Sequence, residues 1–458
     1  MRSLRKYWSG VGPRRLRLAL GAILILGAGL RVGWVAFVAE DPKVVTDAGQ
    51  YLHLGRDLAH GDGYRTTREV ATLADPRRGA AKAPPPTAFY PPGYPMFVAA
   101  VVGTSDALGV AQDLQVPIIE MIQALLGTAT ILGVFELGRR LAGESVGVSG
   151  AAVMAFYPNQ IATTGTLQLE TVFVLLSVLS ALALLNLARA VRPSLRNVTL
   201  TGFGLGLVAL VRPTIALLAV GWFVTMLVLR APVRRTLALA GVLIIAMVLP
   251  VAPWTVRNSI RMKTFVPIST GAGPALCQAR NPYSDGGPNY MVLVQGCVPP
   301  HVGGDARQQE VRFNAFASHQ ATTWVKAHPL EELAMWFRRT RLAFASDSEG
   351  FEPSQHRLSA GWYSAVTAFA NDWTYAVTAL ALIGALIAAR RRTAAGCYIV
   401  SATIAAASVP LLLFGDPRYK VPAEPFLAVL AAVAITTGWM RFVGRKARTG
   451  LGFRSLNE

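Results

Sequence analysis

Charge is scarce in this chain, and acidic charge scarcest: 15% of the 458 residues are Asp, Glu, Lys or Arg, with 25 acidic residues against 44 basic ones. So little polar material cannot cover a soluble enzyme, and with 53% apolar residues and a mean hydropathy of +0.41 much of the surface must face lipid. Cysteine is almost absent, at three, and no cysteine–histidine spacing matches a zinc site. The apolar stretches also lack a ladder of carboxylates. They hold only Arg31, Glu136 and Glu170, which argues against a proton-coupled pump. No repeat of solenoid or inverted-transporter type is visible.

The formal charge of +19 does not point to nucleic acid, which would need the basic residues gathered on one patch. They form short clusters between apolar stretches instead: Arg14/Arg15/Arg17, Arg139/Arg140, Arg189/Arg192/Arg196, Arg230/Arg234/Arg235, Arg390/Arg391/Arg392 and Arg441/Arg445/Lys446/Arg448. The positive-inside rule reads each as a cytoplasmic turn. A hydrocarbon core needs spans of about 20 residues. Ten are then expected: Leu18–Val38, Pro117–Leu137, Val146–Ala162, Glu170–Ala188, Val198–Val211, Thr214–Leu229, Thr236–Trp254, Trp373–Ala389, Ala394–Phe414 and Pro425–Trp439. The fold class is an all-α polytopic protein of the cytoplasmic membrane, with both termini cytoplasmic. The first span is too long for a cleaved signal and ends at no small-residue cleavage site. Phe97–Val102, between Pro91, Pro92 and Pro95 and the acids Asp106 and Asp113, reads as a re-entrant or interfacial segment.

Three parts are expected: a transmembrane module (1–254) whose first external loop (39–116) carries the chemistry, an external, mainly helical region (255–371), and C-terminal transmembrane helices (372–458). In the first loop, Thr46–Tyr64 reads as an amphipathic helix ended by Gly61. Ala48, Tyr51, Leu52, Gly55, Leu58 and Ala59 share one face, and Gln50, His53, Arg56, Asp57 and His60 another. Asp47 sits at its N-terminus, where the helix dipole favours an ionised carboxylate. A basic Pro-rich stretch (Arg77, Arg78, Lys82, Pro84, Pro85, Pro86) reads as a mobile loop. In the second region a helix is expected from about Asp305 to Ala327. Another opens at Pro329, with Leu330, Leu333, Ala334, Phe337 and Leu342 on one side and Arg338, Arg339 and Arg341 suggesting that it lies along the membrane surface. Cys277 and Cys297 share this region. They either form a disulfide, closing a loop of about 20 residues worth roughly 3 kcal/mol, or remain two free thiols. Cys397, inside a span, is read as packing.

The positive-inside rule fails at Arg212, at Arg257, Arg261 and Lys263, and at Arg418 and Lys420, all on the external side. Cations there suit a phosphate, or they pair with acids such as Asp416 and Glu424, or touch lipid headgroups. Glu170 opens a span on the same face as Asp47. Its alternatives are a site carboxylate or a helix N-terminal acid satisfying backbone donors.

The motifs in order, Asp47-x-x-x-Tyr51 ending in Gly61-x-Gly63-Tyr64, Tyr90-Pro-Pro-Gly-Tyr-Pro95, Gln123 to Gly138-Arg139-Arg140, Tyr157-Pro158 before Glu170, Val211-Arg212-Pro213, Pro253-Trp254-Thr255-Val256-Arg257-Asn258, His328-Pro329 and Arg418-Tyr419, span nearly the whole chain. Together they resemble the GT-C type membrane glycosyltransferases, closest to bacterial relatives of the protein O-mannosyltransferases and lipid A aminoarabinose transferases. The resemblance implies a polyprenyl-phosphate-sugar donor, an active site at the external membrane face, inversion at the anomeric carbon and no nucleotide. It maps the family's basic carboxylate onto Asp47 and its second acidic position onto Glu170, where the family often has Asp.

An acceptor hydroxyl needs a base, and Asp47 fits. A phosphate diester becoming a monoester needs fixed cations, and Arg257, Arg418 and Lys420 fit, supported by Arg212 and Asn258. Tyr51, Tyr90 and Tyr419 either meet sugar or anchor the interface. The reading is a glycosyltransferase whose partners are the donor lipid, a glycan, glycolipid or protein acceptor, and membrane lipids, with no nucleic acid. No cofactor is indicated, and no metal-ligand cluster accompanies Asp47. The competing readings are a lipid-linked-saccharide flippase and a non-catalytic envelope assembly protein.

Overall fold

The computed structural model describes residues 13–40, 46–66, 84–299 and 306–448. Arg77, Arg78, Lys82 and Asp305 lie outside them. Among the described residues the regular structure is helical, and the one β contact is an isolated bridge between Arg65 and Pro86. The helices are α1 (Pro13–Phe37), α2 (Asp47–Ala59), α3 (Gly93–Ala107), α4 (Gln112–Ala142), α5 (Glu144–Ala155), α6 (Pro158–Ala162), α7 (Glu170–Arg189), α8 (Leu195–Ala209), α9 (Ala216–Val228) and α10 (Val233–Met262). They continue as α11 (Ala272–Gln278), α12 (Tyr290–Cys297), α13 (Ala306–Ala327), α14 (Pro329–Ala345), α15 (Ala360–Arg390), α16 (Ala394–Ala407), α17 (Val409–Leu412) and α18 (Glu424–Arg448).

Among the described residues seven helical segments are long and apolar enough to cross a bilayer: Arg14–Phe37, Gln112–Ala142, Glu170–Arg189, Val233–Met262, Ala360–Arg390, Ala394–Leu412 and Pro417–Phe442. The remaining three of the ten expected spans coincide with shorter helices, α5, α8 and α9, of 12, 15 and 13 residues. Pro158 accounts for one of them. The residue before a proline avoids the helical region, so Tyr157 is extended (ψ 111°) and α6 restarts with Pro158 in its first turn. Arg31, fully buried, caps the broken end. It donates to the Ala155 and Met154 carbonyls at 3.1 Å each, adding donors to the last acceptors of α5.

α10 runs without interruption through Trp254, where the first module was expected to end, to Met262, and left-handed Lys263 (φ 57°) closes it. Its 30 residues span about 45 Å, enough to carry Arg257 beyond the hydrocarbon. Helix α15 likewise starts at Ala360, ahead of the expected Trp373.

In the region between α10 and α15, Cys277 of α11 and Cys297 of α12 are bonded (S–S 2.19 Å), packed on Ala317 and Ala321 of α13. α14 turns two of its five charges inward and leaves Glu331, Arg338 and Arg341 exposed. Glu332, Arg339 and Ala343 are buried, whereas Leu330 and Phe337 are 79% and 81% exposed. Arg339 therefore does not lie along a membrane surface. It and Arg280 share Glu332 (2.7 and 3.0 Å) and donate to the Leu411 carbonyl, at 3.3 and 2.8 Å. This grip, with Gly415 N–H donating to the Gly286 carbonyl (2.6 Å), anchors the segment that leads to Arg418.

Candidate active site

Helix α2 forms where its caps require it. The Thr46 hydroxyl accepts from Gly49 N–H (3.4 Å) at the N-terminus, and Gly61 supplies the positive φ (80°) after the last turn. Its buried face is rotated from the one expected: Gln50 and Leu54 are buried with Ala48, Tyr51 and Gly55, while Leu52 is only partly covered. α3 lies across it and decides this, with Gly55 seated against Val98. The Tyr90-Pro-Pro-Gly-Tyr-Pro turn then docks on the end of α8. Gly93 N–H donates to the Leu210 carbonyl (2.8 Å), and a Cβ on Gly93 would stand 2.8 Å from Val211 N. Only glycine lets the first loop come so close to Arg212.

Four charged side chains converge. Arg418 donates from Nη1 to Asp47 Oδ2 (2.9 Å) and from Nε to Glu170 Oε1 (3.2 Å). Arg212 approaches the same Glu170 oxygen at 3.6 Å, with its guanidinium 4.9 Å over the Tyr419 ring and 5.8 Å over Phe173. The Tyr90 hydroxyl donates to Asp47 Oδ1 (2.7 Å). Glu170 Oε2 and Arg212 Nη1 are buried and make no hydrogen bond. Burial works to raise the Asp47 pKa, but the Arg418 charge and the Tyr90 and Arg418 hydrogen bonds outweigh it and hold it below the ordinary carboxylate value. The Tyr90 hydroxyl is pushed far up, first by burial and then by Asp47, so it keeps its proton and donates. Asp47 is 38% exposed, and a carboxylate accepts about four hydrogen bonds, so an acceptor hydroxyl finds free lone pairs there.

Not every expected residue joins this cluster. Arg257 is engaged elsewhere, with Nη1 donating to the Thr87 carbonyl (2.6 Å), Nη2 to the Tyr64 carbonyl (2.9 Å), and its guanidinium 4.8 Å over Trp254. Asn258, fully buried, accepts from Arg257 (3.0 Å) and donates to the Ile268 carbonyl (3.0 Å). Lys420 is fully buried in a pair with Asp347 (2.8 Å) and donates to the Ser346 carbonyl (2.5 Å). The partners of Arg257 and Lys420 lie far away in sequence and take up the positive charge that was expected to face a phosphate, while Asn258 holds Arg257 from the next position. Tyr51 is buried between Tyr90 and Tyr94, with ring centroids 5.0 Å from each, so it supports Tyr90 from behind.

Tyr94 and Gln123 stood in the sequence motifs without a role, and Asp416 only as a possible partner of the basic residues; the structure gives each a position. Tyr94 donates to Gln123 (2.8 Å), whose amide donates to the Thr166 and Thr164 carbonyls (2.7 and 3.1 Å) and so fixes the turn leading to Glu170. Asp416 accepts from Arg418 N–H (2.8 Å) and sets that short helical turn. Among the described residues no three His, Cys, Asp or Glu side chains are grouped to hold a metal.

The family model for dolichyl-phosphate-mannose-protein mannosyltransferases matches residues 95–254. No curated protein matches the chain in sequence. In structure it is similar to the oligosaccharyltransferase AglB from Archaeoglobus fulgidus in complex with an inhibitory peptide and a dolichol-phosphate (TM-score 0.55, 14% identity, 99% of this chain and 53% of that one). It is also similar to ArnT from Cupriavidus metallidurans bound to undecaprenyl phosphate (TM-score 0.55, 14% identity, 96% of this chain and 64% of that one). The chain therefore spans about half the length of the first and less than two thirds of the second. It is a membrane protein with the GT-C fold that its motifs led one to expect.

Proposed function

We propose that the chain is an inverting glycosyltransferase that moves a sugar from a polyprenyl-phosphate donor to an acceptor hydroxyl of a protein, glycolipid or wall polysaccharide at the external face of the cytoplasmic membrane. The observation that carries the proposal is the Asp47–Arg418–Glu170 bridge with the unspent Arg212 beside it. Asp47 takes the acceptor proton as the acceptor oxygen bonds to the anomeric carbon. The bond from that carbon to the phosphate oxygen breaks, and its electron pair leaves with the lipid phosphate. The phosphate gains one negative charge, and in this reading the Arg212 Nη1 donor and the remaining Arg418 donors meet it. Glu170 is buried under both guanidiniums, a poor nucleophile. A single displacement with inversion follows, by analogy with the two-carboxylate logic of glycosidases.

The external placement is supported by charge. α7 begins at Glu170 and ends at Arg189, so the site and one basic cluster occupy opposite ends of one helix. Purified protein in detergent, given radiolabelled polyprenyl-phosphate sugars, is expected to release label from at least one donor, and Asp47→Asn to stop that release while lipid binding persists. Inertness toward every donor overturns the proposal. Donor movement across a bilayer that survives Asp47→Asn without turnover would favour a flippase.

A further inference from the structure

The Tyr90 hydroxyl reaches Asp47 from a short segment whose position is set elsewhere. Residues 87–90 pair with the external region: Thr270 N–H donates to the Ala88 carbonyl (2.9 Å) and Gly271 N–H to the Phe89 carbonyl (3.2 Å). Glu310 on α13 stands at the centre of this junction. Its Oε2 accepts from the Thr87 hydroxyl (2.7 Å), and its Oε1 accepts from Ala88 N–H (2.9 Å) and the Thr270 hydroxyl (2.6 Å). Thr87, Ala88 and Thr270 are all buried. The Thr87 oxygen also accepts from Phe89 N–H (3.0 Å), and Arg257 holds the Thr87 carbonyl, so the strip is tied on both sides up to the residue before Tyr90. The Tyr64 hydroxyl completes the hold by donating to the Tyr90 carbonyl (3.1 Å).

A carboxylate accepting three hydrogen bonds from two separate segments fixes their relative position more tightly than packing alone, because each donor would be left unsatisfied in a buried place if the segments slid. Nothing about Glu310 touches the four charged groups of the site. We propose that Glu310 is a positioning residue: it clamps Thr87–Tyr90 to the external region and thereby sets the Tyr90 hydroxyl on Asp47, a role whose kinetic consequence rests on the transferase reading above. The clamp makes the external region part of the site's construction without giving it a reacting group.

The test compares Glu310→Ala and Glu310→Gln in the full-length protein, alone and in a Tyr90→Phe background. Gln keeps one acceptor oxygen for Ala88 N–H and Thr270 and retains the shape; Ala removes all three bonds. Glu310→Ala is expected to lower kcat by about 10- to 100-fold with donor KM little changed, as a displaced catalytic support does. Gln is expected to restore most of the loss. In the Tyr90→Phe background Glu310→Ala should cost almost nothing more, because its effect passes through the Tyr90 hydroxyl. An equal penalty in both backgrounds overturns the proposal. Amide hydrogen exchange, read without substrate, judges the clamp independently of any transfer. Faster exchange in residues 84–91 of Glu310→Ala supports it, even in a chain inert toward every donor, and unchanged exchange there overturns it. If Glu310→Ala does not fold, Thr87→Val and Thr270→Val each remove one bond and face the same two readings.

Discussion

Arg418 joins Asp47 to Glu170, with Nη1 2.9 Å from one carboxylate and Nε 3.2 Å from the other. The three residues come from the start of α2, the start of α7 and the turn before α18, so the bridge closes only when the whole bundle is assembled. A guanidinium presents several donors in a fixed fork, which is why one side chain can serve two carboxylates that would otherwise repel.

That geometry separates charge from shape. Arg418→Lys keeps the positive charge but offers a point cation that reaches one carboxylate at a time. Transfer is expected to fall about 100-fold or more, the scale of losing one preorganised donor. Arg418→Ala also leaves Glu170 buried without its nearest cation and should cost about 3–5 kcal/mol of stability. Turnover assays and thermal unfolding in detergent read the two effects, and a Lys variant with parental kcat would sink the claim that the fork matters.

Tyr90→Phe removes the hydrogen bond that helps keep Asp47 ionised. Asp47 has a depressed pKa, so the base is present above that value and is lost as the pH falls through it. Without Tyr90 the pKa rises, and the acid limb of kcat/KM against pH should move to higher pH while the alkaline limb stays in place. An acid limb that does not move would mean that the hydroxyl has no hold on Asp47 in the working enzyme.

The Asp47 helix was legible in the sequence because its signals are local: Thr46 at one end, Gly61 at the other and a helical period between. The disulfide partners were legible as one of two possibilities, because only two cysteines share the external region. The fate of the external cations was only half legible. Arg212 and Arg418 converge on Glu170, but Arg257 is claimed by Thr87 and Lys420 by Asp347, partners 170 and 73 residues away. Charge patterning speaks only to membrane side and says nothing about such pairings. On α14 only the place of Arg339 departed from expectation, for a related reason. In a membrane protein an apolar stripe can face outward, and here Leu330 and Phe337 do so while Arg339 is buried.

Glu349 was silent in the sequence. Burial pushes its carboxyl up to about 7 from an ordinary 4.5, and the nearby Asp416 and Glu352 add to the rise against Arg418 and Lys420. A raised acid favours folding while it is protonated. That contribution is fully present below about pH 4.5, the unfolded value, and is lost as pH rises through the folded one. The thermal midpoint of the parent should therefore fall between pH 5 and pH 8, and Glu349→Gln, neutral throughout, should flatten much of that fall. Parallel curves for the two proteins would show that Glu349 titrates normally.

Lys420 offers the sharpest contrast between charge patterning and structure. It was expected to face the phosphate, yet it is fully buried against Asp347 at 2.8 Å, whose other oxygen accepts from the Thr374 hydroxyl at 2.5 Å. Thr374 in turn lies 3.0 Å from the Tyr157 hydroxyl, and Glu424 is held nearby by Gln160 at 2.7 Å. Such a network ties the 346–350 loop to the bundle. Removing the cation alone strands Asp347 and should destabilise the fold by about 3–5 kcal/mol. Neutralising both partners removes the stranded charge, so Lys420→Met with Asp347→Asn should recover much of that loss. If Lys420 is scaffold, the folded fraction of Lys420→Met keeps a kcat close to the parent's. If it meets the phosphate, kcat per folded molecule collapses while the double variant regains stability without regaining activity.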